Sequence, residues 1–279
     1  MAKILTRRPE AVDVPATGPA MPRRRSRRLP SLWITVIATV VILGLWEVVG
    51  RQINPLFMSY PSAVAIEFQE SLASGELVEA LLASLQPLAV GYLMCTLGIP
   101  LGILIGRFRV VEAAIGPYVT AAYSMPLVAL IPLFVLWFGL GFTVKVAIVF
   151  TMGVFPVIIN TWAGVKAVPK TLIEVGTAFV ASQPAIVRSI VVPATIPYVM
   201  TGLRLAIGRC VVAVVVAEFF TAISGLGGLI INAGNQFNTA GIFVPVLVLM
   251  VIGVGLTQLI GVLENKVAPW QRSLAGRDS

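Results

Sequence analysis

The sequence predicts an all-α, polytopic membrane protein, and two features of its composition carry this prediction. Hydrophobic residues make up 58% of the 279 residues and charged residues only 11%, a balance that a water-soluble domain does not need. A membrane-spanning helix takes about 20 largely apolar residues. Because a chain in lipid must pair its own backbone groups, long uncharged stretches are expected to be helices. Such stretches lie at 29–46, 80–106, 113–144, 146–165 and 219–263.

Six spans are predicted from these stretches and from the apolar segment 198–219, which carries three charged residues. The third stretch is too long for one straight span and contains three prolines, so a broken span is expected there. Segment 51–79 is acidic and interrupted by Pro55 and Pro61, and we expect it outside. Residues 222–242 are rich in Gly and Asn and predict an outer loop, either wholly outside or dipping back into the membrane. The spans are predicted at about Trp33–Val49, Leu82–Ile105, Ile115–Phe138, Lys145–Trp162, Tyr198–Phe219 and Ile242–Leu263.

Positive charge sets the predicted orientation. Eight of the 20 Lys and Arg residues precede Leu29, and sixteen in all fall on segments that share one side in the six-span arrangement. Arg51 and Lys145 fall on the other side. Since basic segments face the cytoplasm, both termini and the loop after span 4 are predicted there. The net charge of +8 therefore indicates topology in an inner membrane and contact with its lipid, not binding of nucleic acid.

Three regions are predicted along the chain. Residues 1–30 are rich in Pro, Ala and Arg without periodicity and predict a disordered cytoplasmic tail. Residues 31–270 form the six-span domain, and 271–279 a second cytoplasmic tail. Cys95 and Cys210 lie in apolar stretches and are interpreted as small buried side chains, not as a disulfide or a metal pair. We expect neither catalytic nor metal-ligating residues.

A polar loop at 168–197, between spans 4 and 5, is the part of the chain most suited to a partner. Pro169 is placed to open a helix. Leu172, Val175, Gly176 and Phe179 follow at i, i+3, i+4 and i+7, which predicts one helical stripe, with Glu174 on the opposite, polar face.

A second short helix is predicted in the polar loop after a bend at Ala181 and Ser182. Ser182 is its expected N-cap, and Pro184 lies in its first turn. Ile186 and Ile190 provide its apolar face, and Pro193 is expected to end it. Two short helices joined at small residues form a compact unit that suits insertion into a groove on another protein.

The polar loop resembles the EAA loop of the membrane subunits of bacterial ABC importers. That pattern is Glu-Ala-Ala, three residues, Gly, nine residues and Ile-x-Leu-Pro. Glu174, Ile190 and Pro193 match it at the right spacing, and Gly176 stands at its second Ala. Val180 stands where the family has Gly, which puts a tight bend there in doubt and leaves the bend to the next two residues.

Two further segments extend the resemblance, which runs from about Pro61 to Trp270. PATIPYVMTGLRLAIGR at 193–209 and GLGGLI at 225–230 are similar to the nitrate/sulfonate/taurine subgroup of these permeases. That subgroup handles nitrate, sulfonates, taurine, bicarbonate and precursors of thiamine or riboflavin. The resemblance implies a path for a small solute, and an anion is the expected class.

The resemblance also implies partners. Two copies of an ATP-binding cassette subunit, which uses ATP and Mg, would dock on the polar loop, and a periplasmic solute-binding protein would deliver the solute. A second permease copy would complete the path, and two-fold symmetry favours a homodimer over a heterodimer. The chain has no GxxxxGK[ST] segment, so it should bind no nucleotide cofactor itself. The implied coupling residues are Glu174, Gly176, Ala178, Val180, Ala181, Ser182, Ile190 and Pro193.

Polar residues inside the spans are candidates for the solute path, namely Arg204, Arg209, Asn160 and Ser124. The guanidinium of Arg204 is near enough to the inner headgroups to reach them. Arg209 lies roughly 7–8 Å further along the helix. Either it faces the path and favours an anion, or it bonds backbone carbonyls freed at the prolines of spans 2 or 3.

An ion-coupled secondary transporter is the alternative function. It would need carboxylates near the middle of the membrane, whereas Glu47 and Glu218 lie near span ends. Backbone carbonyls also bind Na⁺ in such proteins, so this alternative stays open at the level of sequence. No feature favours a membrane scaffold without transport activity.

The predicted topology is testable with single cysteines and a membrane-impermeant maleimide. A cysteine replacing Glu174 is expected to react only from the cytoplasmic side, and one replacing Asn235 only from outside, because the basic segments hold the polar loop inside. Labelling of position 174 from outside would contradict both the orientation and the role of the polar loop.

Overall fold

A computed structural model of the chain describes residues 31–221 and 224–267. Every regular element in these residues is helical, which confirms the predicted all-α fold. The predicted tails at 1–30 and 271–279 lie outside the described residues. The helices are α1 (Ser31–Gln52), α2 (Pro61–Ala73), α3 (Glu76–Cys95), α4 (Gly98–Arg107), α5 (Arg109–Ser124), α6 (Ile131–Phe138), α7 (Phe142–Lys166), α8 (Lys170–Ala178), α9 (Gln183–Ile186), α10 (Val192–Thr221), α11 (Leu226–Asn235) and α12 (Thr239–Val267).

The chain divides into two compact units, residues 1–43 and residues 44–279. The described part of the first unit is the beginning of α1, whose apolar side chains, among them Trp33, Ile37 and Val40, are exposed. An exposed apolar surface on a helix of this length is suited to contact with lipid. All other described helices belong to the second unit.

The described residues contain five helical runs long and apolar enough to cross a membrane. The predicted broken span corresponds to a bent pair, Arg109–Ser124 and Leu127–Phe138, whose axes differ by 89°. Met125 is extended at the bend, as expected for a residue before proline. Counting the pair as one span gives the six that the sequence predicts. The five runs are Trp33–Gln52, Glu76–Arg107, Phe142–Lys166, Gln183–Thr221 and Thr239–Val267.

Two segments predicted as loops are helical. Pro61 opens α2 instead of breaking the chain, because a proline in the first helical turn loses no backbone hydrogen bond. The 222–242 segment contains α11, and the last span begins at Thr239 instead of Ile242. The outer loop expected there is therefore a short helix followed by the start of α12.

Pro193 does not end the second helix of the polar loop, and the sequence prediction is wrong here. A π-helical turn at Val187–Val191 joins α9 to α10, and the N–H of Val192 bonds to the carbonyl of Val187, five residues back. The wider turn shifts the hydrogen-bond ladder ahead of the proline, which has no N–H to donate. Gln183–Thr221 is consequently one helical run of 39 residues.

Close packing of α7 against α4 depends on glycine. Gly98, Gly102 and Gly106 repeat every four residues along α4 and face α7. A Cβ at Gly102 would come within 2.7 Å of the Ile158 carbonyl oxygen and of the Thr161 Cβ. The missing side chains let the two backbones approach, which is how helices in lipid gain dispersion contacts.

The two cysteines are free and fully buried, as predicted. Both sulfur atoms face Gly153 on α7, where an added Cβ would collide with the sulfur of Cys210 and lie 2.7 Å from that of Cys95. They fill the contact of α7 with α3 and α10 as small apolar side chains.

A buried polar network lies at the end of α10 remote from the polar loop. Glu218 has no exposed surface, and its Oε1 lies 3.5 Å from the Nζ of Lys145, whose side chain is also buried. The Ser84 hydroxyl donates to Oε1 at 2.7 Å, and the N–H of Gly227 donates to Oε2 at 2.8 Å. Lys145 lies near the start of α7, at the edge of the predicted span, and its side chain is buried in this network.

Candidate functional site

The first helix of the polar loop is α8, and the structure confirms it to within one residue of the predicted start. Pro169 lies just before α8 with φ −56°, an angle that the pyrrolidine ring fixes and that the helix continues. The carbonyl of Pro169 accepts the N–H of Leu172.

Gly176 marks the face of α8 that packs inward. A Cβ at this position would lie 3.1 Å from the Ile190 Cδ1 and 3.2 Å from the Ile186 Cγ1. Ile173 packs beside it in the same apolar cluster. Gly176 is therefore needed for close approach to α9 and the π turn within this chain, and not for approach of a partner to α8.

The adjacent side of α8 and the bend that follows it expose large apolar side chains. Leu172, Val175, Phe179 and Val180 are 46%, 53%, 82% and 90% exposed, and we call these four residues the docking patch. Three of them belong to the predicted stripe, but the stripe faces outward except at Gly176. Glu174 and the implied coupling residue Ala178 are also exposed on α8, while beyond the bend Ala181 is half-buried and Ser182 is exposed.

The bend after α8 lies at Val180 itself. Val180 has φ +55°, in the left-handed region. The N–H of Val180 bonds to the Thr177 carbonyl at 2.9 Å, and the N–H of Ala181 bonds to the Gly176 carbonyl at 3.1 Å. These two bonds form the Schellman motif, whose left-handed position is usually Gly. The structure thus keeps the tight bend that the valine put in doubt, at a cost in backbone strain.

The second helix begins where the sequence predicts, but its cap differs. Ser182 occupies the N-cap position with extended backbone, and its side chain makes no capping hydrogen bond. Pro184 lies in the first turn. The guanidinium of Arg107, at the end of α4, instead donates to the side-chain oxygen of Gln183. This bond ties the polar loop to the last residue of the helical run Glu76–Arg107, the predicted second span.

Arg209 has a partner that the sequence did not identify. Its Nη2 donates to the hydroxyl of Tyr123 at 3.0 Å, and its Cζ lies 4.6 Å from the centre of the Tyr123 ring. Cation–π and hydrogen-bond contacts with one neutral residue hold the guanidinium without cancelling its charge. Tyr123 lies two residues before the bend that separates α5 from the helices after it.

The other candidate path residues have partners of their own. Arg204 forms an ion pair with Glu264 on α12, and five residues place it about 140° around α10 from Arg209. Asn160 donates to the Pro156 carbonyl at 2.8 Å on its own helix, at the contact with α10. Ser124 follows Tyr123, is exposed, and donates to the Thr120 carbonyl at 3.0 Å.

We expect replacement of Val180 by Gly to stabilise the polar loop. A residue with a Cβ in the left-handed conformation destabilises the folded state by about 1–2 kcal/mol. Gly removes this strain but loses more conformational entropy on folding, so the expected net stabilisation of the loop is about 1 kcal/mol. Hydrogen exchange of the amides of α8 in the purified chain should slow about 5-fold, the ratio that corresponds to this energy. Val180→Ala keeps the Cβ and is the control; equal protection in both variants would show that Val180 is unstrained.

Comparisons with known proteins agree with this arrangement. Residues 98–269 match the model of the family described as the inner membrane component of binding-protein-dependent transport systems. The putative aliphatic sulfonates transport permease protein SsuC of Bacillus subtilis is 29% identical over 95% of this chain and 98% of its own length. The nitrate import permease protein NrtB of Leptolyngbya laminosa is 30% identical, over 88% of this chain and 96% of its own.

A solved structure shares the fold. The inward-facing MetNI methionine ABC transporter matches with a TM-score of 0.55 at 18% identity, over 71% of this chain and 96% of the matched chain. The family match covers both the polar loop and Arg209. This chain therefore belongs to the inner membrane components of binding-protein-dependent transport systems, as a permease subunit of an ABC importer.

Proposed function

We propose that this permease forms, as a homodimer, the path for a small anionic solute and takes its energy from two ATPase subunits docked on the polar loop. The docking patch is the observation that carries the proposal. Four large apolar side chains are exposed on α8 and on the two residues that follow it, where the charge distribution predicts cytoplasm. ATP hydrolysis belongs to the separate subunit, and a solute-binding protein delivers the solute from outside.

Burial of the docking patch supplies the affinity. Fully burying one Leu, Val or Phe side chain is favourable by about 1.5–3 kcal/mol, so a cleft that covers Phe179 and Val175 gains several kcal/mol. Such a patch on a soluble surface marks an interaction site. Glu174 and Lys170 beside the patch add polar groups that set the orientation of the partner.

The inner face of α8 transmits the partner's movement to the spans. Gly176 packs on Ile186 and Ile190, which belong to the same helical run as the fifth span. A displacement of α8 therefore presses directly on the start of that span. Arg107 adds a polar link from this point to the second span.

Arg209 supports the choice of an anion. The described residues give its guanidinium a neutral partner, Tyr123, while the nearby Arg204 is neutralised by Glu264. A cation without a paired carboxylate raises the local potential, and its planar fork fits carboxylate, sulfonate or nitrate oxygens. The names of the sulfonate and nitrate relatives are consistent with this class.

A second copy completes the path. Symmetric association of two identical chains is the commonest way in which membrane and soluble subunits close an assembly. Ion-coupled transport has no comparable support. Glu47 accepts bonds from Arg51 and Ser62, and Glu218 is held by Lys145 and its hydrogen-bond donors, so both carboxylates that coupling would use are engaged.

Removing apolar surface from the docking patch should release the ATPase. We expect Val175→Ser with Phe179→Ser to reduce the amount of ATPase that copurifies with the chain at least 10-fold, since each lost side chain contributes more than about 1.4 kcal/mol. Phe237→Ser is the matched control, because Phe237 is also an exposed Phe and lies far from the patch, in the connection between α11 and α12. Equal copurification of the double variant and the wild type would remove the patch from the interface.

The role of Arg209 is tested by uptake of radiolabelled nitrate and of a sulfonate into proteoliposomes that contain the assembled complex. Arg209→Gln should lower uptake at least 10-fold with a normal size-exclusion profile, while Arg209→Lys keeps the charge and part of the uptake. Arg204→Gln is the control and breaks the ion pair with Glu264. Because a partly exposed ion pair contributes little, its uptake should stay within about 2-fold of the wild-type uptake.

The competing role for Arg209 is structural, and it has a different outcome. If Arg209 only holds the helices together, both Arg209 variants lose folded protein. Normal uptake by a well-folded Arg209→Gln variant would overturn the anion argument.

A further inference from the structure

We propose that Glu218 is a positioning residue that joins α10 and α11 into one rigid unit, so that the ATPase moves α11 at the opposite end of the permease. The inference rests on the proposed function, because it extends the same coupling from the polar loop to the other end of α10. Neither the family match nor the docking patch assigns a role to Glu218 or to α11.

The first step is the anchoring of α11. Its first turn is held by a chain of hydrogen bonds: Leu226 N–H donates to the Ser84 Oγ at 2.8 Å, and that hydroxyl donates to Glu218. Gly227 N–H donates directly to the Glu218 Oε2 at 2.8 Å. The carboxylate therefore occupies the positive end of α11, where backbone N–H groups have no partner within the helix.

Lys145 adds further contacts that hold the start of α11. Lys145 Nζ donates to both the carbonyl and the hydroxyl oxygen of Ser224 at 3.1 Å, and lies 3.5 Å from Glu218. Side chains of α3, α7 and α10 thereby meet at one helix start. Because Glu218 and Lys145 are both buried, solvent and salt do little to weaken their interaction.

The glycines of this segment are explained by the same contact. Gly225 has φ +97°, and an added Cβ would collide with the Glu218 carboxylate. A Cβ at Gly227 would come within 2.8 Å of the Glu218 Cβ and 3.0 Å of the Val215 carbonyl oxygen. Gly228, in contrast, has open space around its Cβ position. Glycine is thus required where the backbone approaches the carboxylate, and sequence reasoning identified only a turn there.

The second step is the connection to the polar loop. The helical run Gln183–Thr221 contains 39 residues, or about 58 Å at about 1.5 Å per residue. Ile186 and Ile190 near its start contact Gly176 of α8, and Glu218 near its end contacts α11. The run is helical throughout, and beyond Pro197 it contains no further proline, so a shift imposed at α8 is carried by one continuous element to α11.

The test uses the full chain in complex with its ATPase, reconstituted in nanodiscs and trapped with MgATP and vanadate. The readout is hydrogen exchange of the amides at 226–235, before and after trapping. In the wild type, exchange should be slow and should change at least 3-fold on trapping. Lys145→Met with Glu218→Leu removes both charges together, which avoids a single unpaired buried charge.

In this double variant, exchange at 226–235 should rise at least 10-fold and no longer respond to trapping, although the ATPase still retains nucleotide. Glu112→Gln is the control, since it breaks the partly exposed Lys166–Glu112 pair between α5 and α7 and should behave as the wild type. Gly227→Ala is the second variant: it leaves all charges in place, pushes α11 from the carboxylate, and should give the same loss of response.

Each outcome decides the proposal. Slow exchange at 226–235 in the double variant overturns the proposal. A preserved response to trapping in the double variant or in Gly227→Ala also overturns it. A wild type that traps nucleotide without any change at 226–235 also overturns it, while the proposed function stands. A wild type that binds no ATPase at all contradicts the proposed function itself.

Discussion

The structure depends on one uninterrupted helical run, Gln183–Thr221, that connects the polar loop to the far end of the permease. Proline at 193 would normally end such a helix, and the π turn before it allows the run to continue. The end of this run nearest the polar loop supports α8, and the other end holds α11 through Glu218. Helices α3, α4 and α7 pack along it or beside it with small residues at the closest contacts.

Three charged side chains within the spans are each held by a partner on another helix. Glu218 is paired with Lys145, Arg204 with Glu264, and Arg209 with the ring and hydroxyl of Tyr123. In hydrocarbon an unpaired charge is costly, so each pair also fixes which helices meet. Arg209 differs from the others because its partner is neutral, and this difference separates a candidate solute contact from structural pairs.

The sequence predicted the elements that depend on local composition. The six spans, the broken third one among them, and the two helices of the polar loop are visible in charge distribution, proline positions and helical periodicity. Pro193 and Pro61 were misjudged because the effect of a proline depends on its position in the hydrogen-bond ladder. The repeat of Gly98, Gly102 and Gly106 was a usable signal for close helix packing, and it was overlooked.

The remaining features of the site depend on contacts between residues that are distant in sequence. Which face of α8 is exposed follows from Ile186 and Ile190, and periodicity alone does not choose between two apolar faces. The Lys145–Glu218 and Arg209–Tyr123 contacts join residues more than seventy positions apart, so no local pattern reports them. Val180 keeps its bend because two backbone hydrogen bonds outweigh the strain of a branched residue at positive φ.

The central claim is that the end of α8 is the surface through which an ATPase drives this permease. A photo-crosslinking amino acid at Phe179, with one at Phe237 as the control, tests it most directly in membranes that contain the intact complex. The account predicts a covalent adduct between position 179 and an ATP-binding cassette subunit, and none with that subunit from position 237. Crosslinking of position 179 to lipid alone, in membranes where the ATPase is present and active, would contradict it.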